Sequence, residues 1–121
     1  KQVRVTGLVK NIKYFLLKAN FYILPSLREG LSRSLLEAMS QGLIPITSNV
    51  RGSREVIINN KNGFIYDLND KKKLLTLMSS IFTLTNFKKS KIKKNAIDTV
   101  KKNFLLNRYF ELQYKFINSL K

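Results

Sequence analysis

Short apolar runs alternate with helix-like stretches through the first two thirds of the chain, the pattern of a parallel sheet with crossover helices. Val3, Val5 and Thr6 are β-branched and lead into Gly7, which predicts a strand. Across Asn11 to Ala19, Ile12, Phe15 and Leu16 fall on one helical face. Phe21-Tyr-Ile-Leu24 is a compact apolar run closed by Pro25 and predicts a central strand buried on both faces. Ser34 to Gln41 reads as a short helix with Leu35, Leu36 and Met39 inward, ended by Gly42 where a left-handed residue belongs.

Ile44-Pro-Ile-Thr-Ser48 is the next strand, with Pro45 near its start where a lost donor is tolerable. Gly52 and Glu55-Val-Ile form a helical turn before Asn59-Asn-Lys-Asn-Gly63, and Phe64-Ile-Tyr66 is the last strand. From Asp70 the texture is helical. Leu74, Leu75, Leu77 and Met78 mark one helix, while Ile92, Ala96, Val100 and Phe104 recur every four residues in another. A final helix is expected to carry Tyr109, Phe110, Leu112, Tyr114, Phe116 and Ile117, as packing residues or as a face that docks on another domain.

The whole therefore reads as one α/β domain over residues 1–121, with a helical tail from about 88 to 121. Its 121 residues suit a single domain, and 44% hydrophobic residues suffice for a core. The absence of cysteine and histidine excludes disulfides, the usual zinc ligand sets and an imidazole base. No metal and no cofactor are expected. A cysteine-free chain fits a reducing compartment, so the expected location is cytoplasmic. No apolar run approaches the roughly 20 residues that span a bilayer, and the first twenty residues lack the features of a signal peptide. The chain enters a strand-like run almost at once, as a piece of a longer protein does.

Twenty-three basic residues against 7 acids give a net charge of +16, which calls for an anionic partner. From Lys71 onward 13 basic residues face only Asp98 and Glu111, a net of +11, so the excess lies mostly in the helical part. The chain shows no zinc finger, no aromatic-basic motif of the RNA-recognition type and no helix-turn-helix signal, and nucleic acid is not expected. An anionic membrane surface is the other candidate. The plainer reading is solvated lysine and asparagine of an AT-rich genome.

Candidate chemistry gathers in Pro25-Ser-Leu-Arg-Glu-Gly-Leu-Ser-Arg-Ser-Leu-Leu-Glu-Ala-Met-Ser-Gln-Gly42, between an apolar strand and an amphipathic helix. In open parallel sheets ligands bind beyond the carboxyl ends of the strands, where loops enter helix N-termini. Free amides and the helix dipole receive phosphate there. Gly30 is expected to let backbone approach the ligand, and Leu31 and Ser32 to present amides to a diphosphate. Glu29 and Glu37 offer acceptors for sugar and ribose hydroxyls on either side of it. A nucleotide sugar combines those groups. Two plainer roles stand beside this one. Ser34-Leu-Leu-Glu37 matches a capping box, and Glu29 suits a solvated loop acid paired with Arg28 or Arg33.

The stretch from Tyr22 to Ile57 closely resembles the C-terminal donor-binding domain of family 4 glycosyltransferases. The elements occur in order: the Pro-Ser strand end, Glu29-Gly30, Leu36-Glu37-Ala38-Met39, Gly42 with Pro45, Gly52 with Glu55, and Asn62-Gly63-Phe64. The resemblance implies half of a GT-B fold: a Rossmann-like three-layer domain with a parallel sheet and C-terminal helices. It also implies a retaining transfer from a nucleotide-diphosphate sugar, with UDP preferred, to an acceptor hydroxyl. By position Glu29 is similar to the first glutamate of the family's E-x7-E motif, at the reacting end of the donor sugar, and Glu37 to the second, at the ribose.

Two departures qualify that resemblance. The family's basic phosphate-binding pair and first glycine-rich turn belong upstream of Val3, and the N-terminal acceptor domain is not in this chain, so the chain alone is expected to be inactive. Arg51 stands where many relatives have a first glycine, a variation that fits enzymes of bacterial surface-polysaccharide or glycolipid assembly. The acceptor would then be a glycan or lipid-linked sugar at the inner membrane face. A sugar-nucleotide epimerase is less consistent with the E-x7-E context. The contrasting alternative is a small basic module binding nucleic acid or an anionic membrane through Lys88 to Lys102.

Overall fold

The computed structural model of the chain describes residues 3–105. The elements run α1 (Ile12–Lys18), β1 (Phe21–Leu24), α2 (Arg33–Ser40), β2 (Ile44–Ser48), α3 (Arg51–Val56), β3 (Phe64–Tyr66), α4 (Lys71–Phe82) and α5 (Asn86–Asn103). The three strands form a parallel sheet in the order β1-β2-β3. Phe21 pairs with Ile44, Ile46 with Phe64, and Ser48 with Tyr66.

Alternation along the strands splits the core into two layers of helix around the sheet. One face packs Tyr22, Leu24 and Ile65 against Leu35 and Met39 of α2, Val56 of α3, and Ala96 and Val100 of α5. The other packs Phe21, Ile44, Ile46, Phe64 and Tyr66 against Leu74, Leu77 and Ile81 of α4, with Ile92 from the start of α5. The fold is thus the three-layer α/β domain expected from the sequence. A smaller cluster seats Leu16 of α1 on Ala38 and Leu43.

The turn after α2 follows from one glycine. Gly42 has φ +76°, its amide donates to Met39 at 3.0 Å, and the Leu43 amide donates to Ala38 at 3.1 Å. This is the left-handed helix end that glycine tolerates best. It delivers the chain directly into β2, whose five residues are all buried. Pro45 is accommodated because β3 joins β2 only from Ile46 onward.

Three expectations need correction. Val3 to Gly7 forms no strand, and Val3 and Val5 are 75% and 91% exposed. β-branched residues favour an extended backbone, but a strand exists only where a neighbour accepts its ladder hydrogen bonds. β1 is an edge strand among the described residues, not a central one, and Ile23 is exposed; β2 holds the central place. In α1 only Leu16 of the expected face is buried, while Ile12 and Phe15 remain exposed. Of the expected helical tail, α5 through Asn103 is present, and the helix expected around Tyr109 to Ile117 lies outside the described residues.

Candidate active site

β1 ends at Leu24, and residues 25–31 lead from it into α2. Two contacts seat this loop on its neighbours. The hydroxyl of buried Ser48, the last residue of β2, donates to the Ser26 carbonyl at 2.6 Å. The Gly52 amide, in the first turn of α3, donates to the Glu29 carbonyl at 3.1 Å. A Cβ at Gly52 would lie 1.7 Å from the Gly30 carbonyl oxygen, so only glycine permits this approach. The Glu29-Gly30 turn is thereby fixed between the ends of β1, β2 and the start of α3.

Glu29 is half-buried in that turn, and its carboxylate makes no hydrogen bond or ion pair with any described residue. The expected pairing with Arg28 or Arg33 is not formed. Glu37 is exposed, on the side of α2 opposite the buried Leu35, Ala38 and Met39, and its carboxylate is likewise unpartnered among the described residues. Side chains on a helix tilt toward its N-terminus, so Glu37 leans over the turn bearing Arg33 and Ser34. Glu29 thus stands in the loop before α2, and Glu37 on the exposed face of α2 one turn in.

That entrance is capped differently from the S-x-x-E alternative. Ser32, not Ser34, is the N-cap, and its Oγ accepts the Leu35 amide at 3.4 Å. Ser34 lies within the first turn, where its Oγ accepts from the Tyr22 hydroxyl at 2.7 Å and sits 3.1 Å from Ser32 Oγ. The capping box is absent because Tyr22 on β1 holds Ser34 sideways while Ser32 reaches the free amide. Glu37 has no capping duty.

The backbone amides from Gly30 through Ser34 donate to no described residue, which leaves a row of donors at the positive end of α2. Leu31 is half-exposed beside them and Ser32 is buried. At Gly30 the internal close approach involves its carbonyl, whereas a Cβ would meet nothing within 4 Å. The space above Gly30 is open. Ser48, Gly52 and Tyr22 were not among the sequence-predicted site residues, yet they position it. A glycine inside a short helix was the one available signal, since it usually marks a close backbone approach.

Beyond this turn, Arg54 donates to Asn49 Oδ1 at 3.0 Å and Asn49 to Asp67 Oδ1 at 2.8 Å, tying α3 to the loop after β3. Arg51 pairs with Glu55 at 3.0 Å on the surface of α3, a contact that contributes about 0 to 1 kcal/mol. Among the described residues no cluster of three acids, cysteines or histidines is placed to hold a metal. No described helix is long and apolar enough to cross a membrane.

The arrangement of sheet, helices and strand-end loop is that of a GT-B glycosyltransferase domain. A glycosyltransferase of Rickettsia africae superposes with a TM-score of 0.79 at 24% identity, over 93% of this chain and 30% of that one. Anabaena Alr3699/HepE, solved in complex with UDP-glucose, superposes with a TM-score of 0.77 at 18% identity, over 89% of this chain and 30% of that one. At these identities the likeness shows the fold.

The sequence carries the assignment further. Residues 1–99 match the pattern of the glycosyl transferases group 1, and the chain belongs to that family. The Escherichia coli UDP-Gal:alpha-D-GlcNAc-diphosphoundecaprenol alpha-1,3-galactosyltransferase is 37% identical over 70 residues, which are 58% of this chain and 18% of that protein. The chain thus spans 18% of the length of that galactosyltransferase and 30% of each of the two solved glycosyltransferases above.

Proposed function

We propose that this chain is the donor-binding part of a retaining glycosyltransferase that moves a sugar from UDP to an acceptor hydroxyl. The observation that carries the proposal is that Glu29, in the loop before α2, and Glu37, on the exposed face of α2, are both unpartnered among the described residues and flank in sequence the free amides from Gly30 to Ser34. Acceptor-only groups suit sugar and ribose hydroxyls, and aligned amides suit the phosphates between them. The complex of Anabaena Alr3699/HepE with UDP-glucose supports this choice of donor class.

In this reading Glu29 orients the transferred sugar from the fixed turn against Gly52, and Glu37 binds the ribose. The amides of Leu31 and Ser32 stabilise charge gathering on the departing diphosphate, where fixed dipoles need no reorganisation. The diphosphate itself takes up the acceptor proton as the new bond forms on the face it leaves, and Glu29 is not a nucleophile. Acceptor recognition and further phosphate-binding cations lie outside this chain, which is inactive alone. The galactosyltransferase likeness favours bacterial polysaccharide or glycolipid synthesis, with a lipid-linked acceptor at the inner face of the cytoplasmic membrane.

Steady-state kinetics of the intact protein test the reading. Glu29→Ala is expected to lower turnover by about 100-fold, on the scale of lost transition-state contacts. Glu37→Ala is expected to raise the donor KM more than it lowers kcat. Unchanged kinetics in both variants would refute it.

A further inference from the structure

A concavity of about 570 Å³ opens away from the glutamates, between the turn that precedes β3 and the first half of α5. Its floor is apolar, formed by Phe64, Leu84 and Ile92, and its rim carries Lys61, Lys88 and Lys91. The turn is held rigidly against the helix. Buried Asn62 donates to Thr99 Oγ1 at 2.9 Å and accepts the Ile58 amide at 2.8 Å, and Asn95 donates to the Lys61 carbonyl at 2.9 Å. No described carboxylate forms an ion pair with any of the three rim lysines.

The helix extends the same charge outward. Between Asn86 and Asn103, α5 has seven lysines and a single acid, Asp98. Ile92, Ala96 and Val100 form its buried stripe. On the opposite side lie Lys91, Lys94 and Lys101, and near its start Phe87 is 78% exposed among them. Phe87 thus adds an apolar ring to a lysine-rich helix face that adjoins the apolar hollow.

We propose that this concavity and the outer face of α5 form a docking surface for an anionic phospholipid bilayer. The lysines take the phosphates, Phe87 enters the headgroup region, and the apolar floor receives the upper part of a lipid. A nucleic-acid backbone would use the charge and leave the apolar floor unfilled, so charge together with floor favours lipid. The proposal deepens the membrane-side role given above and draws its biological sense from it. It is measured without donor, so its failure leaves the donor site untouched.

The experiment is co-sedimentation of the intact protein with phosphatidylcholine vesicles, with and without about one third phosphatidylglycerol. Partition onto the anionic vesicles alone is expected, falling at least about tenfold in the double variant Lys88→Glu with Lys91→Glu. Phe87→Ser should weaken it several-fold. The matched double variant Lys10→Glu with Lys13→Glu, of equal charge change, should lose less than about threefold. Equal loss in both doubles, equal binding to neutral vesicles, or no binding to anionic ones would overturn the proposal. So would duplex DNA binding as tight as vesicle binding and abolished by the α5 double variant.

Discussion

The Gly52 amide donates to the Glu29 carbonyl at 3.1 Å, and that one bond couples the start of α3 to the loop carrying Glu29. A methyl group at Gly52 would sit 1.7 Å from the Gly30 oxygen, so it must push the turn off α3. Gly52→Ala is expected to cost about 1 to 3 kcal/mol of stability, the usual scale of overpacking. Donor affinity should fall at least tenfold while the circular dichroism spectrum stays native. Binding and unfolding measurements on one preparation check both.

Gly30→Ala should behave in the opposite way. The added Cβ meets no protein atom within 4 Å, and Gly30 is not in the left-handed region, so stability should change by less than about 0.5 kcal/mol. If a ligand occupies the space above it, donor affinity falls. A variant with unchanged melting and unchanged donor binding would show that the ligand passes elsewhere.

Ser32 and Ser34 separate capping from side-to-side bracing. Ser32→Ala removes the N-cap acceptor for Leu35 and should destabilise by about 1 kcal/mol. Ser34→Ala frees the Tyr22 hydroxyl on an exposed contact and should cost about half as much or less. Urea midpoints of the two variants decide. The reverse order would restore the capping box at Ser34.

Tyr66 supplies a pH dependence. Burial raises its hydroxyl above the ordinary value near 10, and the OH has no partner among the described residues. The unfolded chain therefore releases this proton first as pH rises through about 10, and the folded chain then binds the extra proton. The stability contribution of Tyr66 is complete below that pH and is lost as pH climbs through the folded value. Tyr66→Phe should flatten the fall in stability between about pH 9 and pH 11. At neutral pH it should be neutral or stabilising by up to about 1 kcal/mol, since an unpaired buried hydroxyl is unfavourable. Identical pH slopes for the two proteins would contradict this.

What the sequence made legible was local and periodic. Leu35 with Met39, and Ile92 with Ala96 and Val100, lie at helical spacing and are all buried; the apolar runs Phe21 to Leu24 and Phe64 to Tyr66 are both strands. Gly42 ended α2 as its position suggested. Legibility failed where a second segment decides the outcome. Val3 to Thr6 has strand propensity and no described partner; the edge place of β1 is a matter of topology. Two serines spaced two apart compete for the cap, and only Tyr22 from β1 selects between them. In the same way Glu29 and Glu37 were visible as a spacing, while the clamp of Ser48 and Gly52 that holds the first of them depends on contacts more than twenty residues apart.

The most direct test of the central claim is calorimetric titration of UDP, without sugar, into the intact wild-type protein and its Glu29→Ala and Glu37→Ala variants. UDP carries the ribose and diphosphate but not the transferred sugar. UDP is expected to bind the wild type, Glu37→Ala to weaken it at least about tenfold, the scale of a lost charge-assisted hydrogen bond, and Glu29→Ala to change it by less than about twofold. No UDP binding to the wild type, or equal affinities in all three proteins, would contradict that claim.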